Sequence, residues 1–284
     1  MAVELDKLKK FVELALEEDV KGGDYTSLST ISERAQGDAK LLVKDAGVLA
    51  GVAVAEEIFR LIDPTLSVDV RLHDGQAVQP GDIAFYVHGS IHSILKAERL
   101  VLNVMQRMSG IATRTKEYSQ QLEGTDAQVL DTRKTTPLLR FLEKDAVLIG
   151  GGANHRFGLY DMILIKDNHV DYAGGISQAI QKAHAYRTEN NLDVAIEIEV
   201  RNFAELEEVL ANEAVDRVMF DNFTADDVRK AVELVNGRLV TEASGGITLA
   251  TIADYGRAGV DYISVGALTH SVKSMDLSLK ATVL

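Results

Sequence analysis

The 284-residue sequence has no cysteine, no tryptophan and only three prolines. Without cysteine there is no disulfide, no thiolate nucleophile and no Cys-ligated zinc or iron–sulfur cluster. The composition fits a reducing compartment, and the expected location is the cytoplasm. With so little proline, no stiff linker separates one half of the chain from the other. An excess of basic charge is also lacking. Thirty Lys and Arg stand against 43 Asp and Glu, a net charge of -13. That balance excludes a general nucleic-acid binder, which needs a basic face. No apolar run is long enough to cross a bilayer, and the longest small-apolar stretch, 46–55, is broken by glycines. The first ten residues include Glu4 and Asp6 and have no apolar core, so they do not read as a secretory signal.

Against this acidic background, cations gather between Asp131 and His169. The stretch reads D-T-R-K-T-T-P-L-L-R, then G-G-G-A-N-H-R, then I-L-I-K-D-N-H. It contains Arg133, Lys134, Arg140, His155, Arg156, Lys166 and His169. Arginine grips carboxylate or phosphate through two parallel hydrogen bonds, and lysine adds a compact point charge. Cations collected among glycines and strand ends point to a small, highly charged anion as ligand.

The periodicity predicts two textures. Leu5, Leu8, Val12 and Leu16 recur at helical spacing, and Asp24 caps a short second helix. Strands at 40–44, 47–50, 66–72 and 83–87, with a helix at 54–62, predict a small antiparallel sheet crossed by a helix. The turn run D-G-Q-A-V-Q-P-G-D carries no lysine, so it is not the modified hairpin of a swinging-arm carrier. A long apolar-striped helix over 91–108 is expected to break at Ser109-Gly110 and resume to 122. On it Arg99 reads, from spacing alone, as an exposed cation beside Glu98. The tail, 275–280, alternates like a strand that returns to the first domain.

From residue 128 onward, short apolar runs alternate with amphipathic helices. Runs at 128–130, 162–165, 194–200, 217–220, 239–241 and 262–265 mean a parallel sheet covered by helices. Polar residues follow these runs repeatedly: Asp131, Lys166, Asp221, Ser244 and Gly266. The C-terminal strand ends of α/β barrels carry the chemistry, so a barrel, complete or incomplete, is expected. The predicted domains are 1–110, joined by the tail 271–284, and 111–270.

Three constellations carry chemistry. Ser244-Gly245-Gly246 and Gly266 each follow a strand and open a helix, where free N–H groups and the helix start suit a phosphate. Glu197 and Glu199 point to one face of a strand, and Asp221 ends the next. Such carboxylates suit a Mg²⁺ that also touches a polyphosphate. A carboxylate inside an apolar strand needs some partner, and pairing with a buried cation stands equally open. The third is the cation cluster itself, sized for a carboxylated substrate. The bottom-up reading is a barrel enzyme with a Mg²⁺-phosphate site beside a carboxylate pocket.

The motifs D-T-R-K-T-T-P, G-G-G-A-N-H-R-F-G-L, I-K-D-N-H, E-I-E-V, F-D-N-F, E-A-S-G-G-I and S-V-G-A-L-T-H-S occur in one order. With G-D-Y-T-S and E-R-L-V-L-N upstream, the sequence resembles the quinolinate phosphoribosyltransferase family through nearly its whole length. The resemblance implies an N-terminal α/β open sandwich domain plus an incomplete seven-stranded α/β barrel. It implies transfer of phosphoribose from 5-phosphoribosyl 1-pyrophosphate to quinolinate with Mg²⁺, giving nicotinate mononucleotide, pyrophosphate and CO₂ in NAD synthesis. It implies a homodimer in which Arg99 reaches the partner's site, which replaces the plainer reading of that residue. By motif match, Arg133, His155, Arg156 and Lys166 bind the pyridine dicarboxylate and Lys134 lines the site. Glu199 and Asp221 hold the Mg²⁺-pyrophosphate end, and Ser244, Gly245, Gly246 and Gly266 cradle the 5′-phosphate. The rivals are a same-fold relative acting on another base or associated with molybdate transport, and a non-catalytic anion-binding protein.

Overall fold

A computed structural model describes residues 4–282. Residues 1–3 and 283–284, the outermost positions of the predicted first domain and its tail, lie outside the described residues. In chain order the elements are α1 (Leu5–Asp19), α2 (Tyr25–Thr30), β1 (Gln36–Val43), β2 (Gly47–Val48), α3 (Val52–Ile62), β3 (Ser67–Val70), β4 (Ala77–Val78), β5 (Ile83–Ser90), α4 (Ile91–Gln121) and β6 (Gln128–Leu130). There follow α5 (Arg140–Ile149), β7 (Ile163–Ile165), α6 (Asp167–Ala173), α7 (Ile176–Glu189), β8 (Ile196–Val200), α8 (Phe203–Leu210), β9 (Arg217–Asp221), α9 (Ala225–Val235), β10 (Val240–Ser244), α10 (Ile252–Arg257), β11 (Tyr262–Ser264), α11 (Ala267–His270) and β12 (Leu277–Thr282). The chain divides into two compact units. One takes in residues up to Lys116, Thr135–Gly151 and the chain from Ser271 onward; the other holds Glu117–Lys134 and Gly152–His270.

In the first unit, four antiparallel strands lie in the order β12-β1-β5-β3. Strand β1 buries alternate residues, Ala39, Leu41 and Val43, as the twofold strand period requires. Phe85 from β5 meets Phe59 of α3 edge to face, with ring centroids 5.9 Å apart. Each such fully buried side chain contributes roughly 1.5–3 kcal/mol. The tail is a strand, as its alternation predicts: β12 pairs with β1 from Leu277 to Thr282. The side-chain amide of Gln106 donates to the Leu277 carbonyl at 2.9 Å. Asp24 caps α2, accepting from the Thr26 and Ser27 N–H groups.

The expected break at Ser109-Gly110 is absent, and α4 runs unbroken for 31 residues. Gly110 serves a close approach instead. A Cβ there would come within 2.4 Å of the Lys273 carbonyl oxygen, so only glycine lets the tail pass. Ser109, fully buried, donates its hydroxyl to the Ala50 carbonyl. A glycine inside a helix weakens it by about 1 kcal/mol.

In the second unit, six parallel strands lie in the order β6-β11-β10-β9-β8-β7. They are the six runs read from the sequence, and helices α7 to α10 alternate with them. A seventh strand is not formed among the described residues. Its place on the outer edge of β6 is taken by Ala153 alone, through one parallel bridge to Leu130. The flanking sequence, G-G-G-A-N-H, explains this, because glycine-rich polar chain does not sustain a buried strand. The result is an α/β fold with an incomplete barrel-like parallel sheet and a separate antiparallel sheet in the first unit. No helix among the described residues is long and apolar enough to cross a membrane.

Candidate active site

Strand register fixes the layout. Glu199 pairs with Met219, and Asp221 with Ser244, so acidic and hydroxyl side chains line up along the C-terminal ends of β8, β9 and β10. Ile165 pairs with Ile198, which brings the next residues, Lys166 and Glu199, side by side. Lys166 Nζ donates to Glu199 Oε2 at 2.7 Å. A cation assigned to one part of the site and a carboxylate assigned to another are thus direct partners.

The loop after β6 carries Arg133 and Lys134, both exposed. The loop after Ala153 carries His155 and Arg156. Burial, and then the nearby charge of Arg133, hold the Arg156 guanidinium below its ordinary pKa. Arginine does not shed its proton in proteins, so the pair is a concentration of positive charge. Arg156 donates through Nη1 to the Met162 carbonyl at 3.2 Å. Asp161 closes the intervening loop by accepting the Phe157 and Gly158 N–H groups.

The glycine loops are shaped by tight contacts. Gly245 has φ +97°, and a Cβ there would lie 2.3 Å from Asn222 Oδ1. Asn222, itself left-handed at φ +59°, donates its side-chain amide to Asp221 Oδ2 at 2.8 Å and its backbone N–H to the Ser244 carbonyl. At Gly266 a Cβ would meet the His270 ring and Lys134 Cδ at 3.0 and 3.1 Å. The stem of Lys134 therefore lies against the second glycine loop, and Thr269 Oγ1 holds the Lys134 carbonyl at 2.8 Å. The helix expected directly after Gly245-Gly246 begins only at Ile252, so that loop offers backbone N–H groups without an adjoining helix start. After Gly266 the helix is a single turn, Ala267–His270.

One cluster lies deeper. His155, Glu197, Arg217 and Glu242 are all buried. His155 Nε2 is 3.1 Å from Glu197 Oε2 and 3.5 Å from Glu242 Oε2. Arg217 Nη2 is 2.8 Å from Glu242 Oε2, and Arg217 Nε is 3.8 Å from Glu197 Oε1. The carboxylate oxygens, Arg217 Nε and Arg217 Nη2 have no aligned hydrogen-bond partner among the described residues. Charge balance therefore holds the group more than hydrogen-bond geometry does. Burial first, and then the Glu197 charge, push Glu242 up to about 7. Arg217 also stacks over the Tyr262 ring at 4.3 Å.

Both carboxylates of the E-I-E-V strand thus have cationic neighbours, Lys166 for Glu199 and Arg217 for Glu197. Pairing does not exclude a metal at Glu199. The hard oxygen donors of Glu199 and Asp221 fit a Mg²⁺ held mainly by substrate oxygens and water, which takes few protein ligands. Sequence reasoning missed Arg217, Glu242, Asn222 and His270 as members of the site. Arg217 and Asp221, four apart in one strand, and Glu242 and Ser244, two apart in the next, were the available signal. Arg99 is exposed on α4, in the first unit.

With the geometry in view, comparison with known proteins is specific. The family model described as quinolinate phosphoribosyl transferase, C-terminal domain, matches residues 111–280, and the N-terminal domain model matches 24–109. The chain belongs to the quinolinate phosphoribosyltransferase family. It is 47% identical to the tobacco protein named quinolinate phosphoribosyltransferase [decarboxylating] 2a, mitochondrial, over 96% of this chain and 82% of that one. It is 44% identical to a Bacillus subtilis protein named probable nicotinate-nucleotide pyrophosphorylase [carboxylating], over 97% and 94% of the two chains. The crystal structure of NadC from Streptococcus pyogenes matches it with a TM-score of 0.93 at 38% identity, over the whole of both chains.

Proposed function

We propose that the chain transfers phosphoribose from 5-phosphoribosyl 1-pyrophosphate to quinolinate, with loss of CO₂, to give nicotinate mononucleotide and pyrophosphate in NAD synthesis. The observation that carries this is the Arg133–Arg156 pair. The parallel bridge between Leu130 and Ala153 sets the loops that carry Arg133 and Arg156 side by side, and two guanidiniums on adjoining loops suit a dianion such as a pyridine 2,3-dicarboxylate. Each charge-assisted hydrogen bond to it is worth about 1.5–3 kcal/mol.

Arg133, Arg156 and Lys166 hold the two carboxylates and orient the ring nitrogen toward C1 of the ribose. Lys134, lying against Gly266, neutralises phosphate. Ser244, Gly245, Gly246 and Gly266 bind the 5′-phosphate through N–H and hydroxyl groups. Glu199 and Asp221 face the pyrophosphate end, where they would hold Mg²⁺. Held there, Mg²⁺ would supply positive charge against the departing pyrophosphate. Once the ring nitrogen has bonded to C1 it is a pyridinium, which accepts the electron pair left as the 2-carboxylate departs; C2 then takes a proton.

The same reading includes a homodimer with Arg99 reaching the partner's site, and a cytoplasmic location consistent with the cysteine-free composition. Mixing Arg99→Ala with Lys166→Ala subunits tests the shared site: partial rescue is expected, and none in verified heterodimers refutes it. The deciding experiment is turnover with the donor and Mg²⁺, with quinolinate in one reaction and nicotinate in another. Nicotinate mononucleotide and CO₂ from quinolinate alone are expected. Product with neither would refute the assignment; quinolinate binding without turnover would favour an anion-binding protein.

A further inference from the structure

We propose that Glu242, Arg217 and Glu197 are positioning residues for the pocket: they hold His155 as its Nε2–H tautomer, and His155 in turn fixes Arg156. The substrate part of this rests on the reading above; the tautomer does not.

The geometry of His155 carries the inference. Its Nδ1 lies 2.7 Å from the Arg156 backbone nitrogen, whose N–H can only donate. Nδ1 is therefore the acceptor, and the ring proton is on Nε2. Nε2 faces the Glu197 and Glu242 carboxylates at 3.1 and 3.5 Å. The His155 N–H donates to Oδ1 of Asp131, which is fully buried. The residue is held through its backbone N–H and Nδ1, and the charge of two buried carboxylates faces Nε2. A direct ligand of a dicarboxylate would turn a ring N–H toward the pocket, whereas here Nε2 turns into the sheet interior. What His155 gives the pocket is the fixed backbone of Arg156, whose guanidinium stands beside Arg133.

Charge explains why the support is built this way. A neutral imidazole leaves Arg217, Glu197 and Glu242 to balance among themselves. One carboxylate ionised against Arg217 and one holding a proton make a neutral buried group, the arrangement a low-dielectric interior favours. His155, Glu197 and Glu242 also have the donors of a metal site. Arg217 Nη2, 2.8 Å from Glu242, already supplies the compensating cation. A divalent ion added there would leave excess positive charge.

The test is ¹⁵N NMR of histidine-labelled protein near neutral pH. The chain has seven histidines, and His155 is assigned by its loss in His155→Gln. A neutral Nε2–H ring is expected in the free protein, and it is expected to persist when quinolinate saturates the site. An imidazolium, an Nδ1–H ring, or a switch on quinolinate binding overturns the proposal. In parallel, Glu242→Ala is expected to raise the quinolinate Kd about tenfold, the equivalent of one charge-assisted contact misplaced. The donor Kd should stay within about twofold, and Glu242→Gln, which keeps an acceptor oxygen, should restore most of the loss. An unchanged quinolinate Kd in Glu242→Ala, or equal losses for both ligands, refutes the positioning role. If the wild type binds no quinolinate, the functional reading fails while the spectrum still decides the tautomer. If Glu242→Ala does not fold, the wild-type spectrum decides alone.

Discussion

Lys166 Nζ sits 2.7 Å from Glu199 Oε2, joining the proposed dicarboxylate pocket to the proposed pyrophosphate end. Lys166 is nearly half exposed, so solvent screening limits the pair to about 1 kcal/mol of stability at most. Its weight lies in binding. Lys166→Ala is expected to leave the thermal midpoint within a few degrees and to lower kcat/KM for quinolinate by about ten- to a hundredfold. A large drop in midpoint with little kinetic change would make Lys166 a structural residue.

Arg133→Ala separates the two substrates. Quinolinate affinity should fall about tenfold or more, one charge-assisted interaction, with donor affinity largely kept. Titration calorimetry with each ligand reads the difference, and equal losses would argue against the pocket assignment.

Asp221→Asn removes the charge that Asn222 orients. The magnesium concentration giving half-maximal turnover is expected to rise, and an unchanged magnesium titration would remove Asp221 from the metal role.

Gly245→Ala strains φ +97° and drives a methyl group into Asn222. A stability loss on the order of 1–3 kcal/mol is expected, with a raised KM for the phosphoribosyl donor. Denaturant unfolding and donor titration check it. Full stability would show that the loop relaxes around a side chain.

Glu242 adds a pH term to stability. Its pKa rises from 4.5 to about 7 on folding, so the folded chain holds this proton more tightly than the unfolded chain does. The stabilisation is complete below about pH 4.5 and is lost as pH rises through about 7. Relative to Glu242→Gln, which does not titrate, the wild type should lose stability across that window. Denaturant unfolding of both proteins over a pH series measures the difference; parallel curves would place the Glu242 pKa near its ordinary value.

The sequence by itself determined much of this protein. Twofold and helical periods located β6 to β11 and the helices α7 to α10, because burial on a sheet or helix face leaves a repeating mark; α5 and α6 left no such mark. The order of polar residues after strands marked Lys166, Asp221, Ser244 and Gly266, because strand ends are where a parallel sheet exposes chemistry. Local pattern misled where distant chain decided: Gly110 reads as a helix break, yet it is the point where the Lys273 backbone passes. Only the tertiary structure decided which charges meet. Lys166 and Glu199 are 33 residues apart, and Arg217 and Glu242 lie on neighbouring strands whose register no local spacing specifies. The ring of His155 is the clearest case. Its residue type allows three protonation states, and the choice among them came from the Arg156 N–H on one side and buried carboxylates on the other.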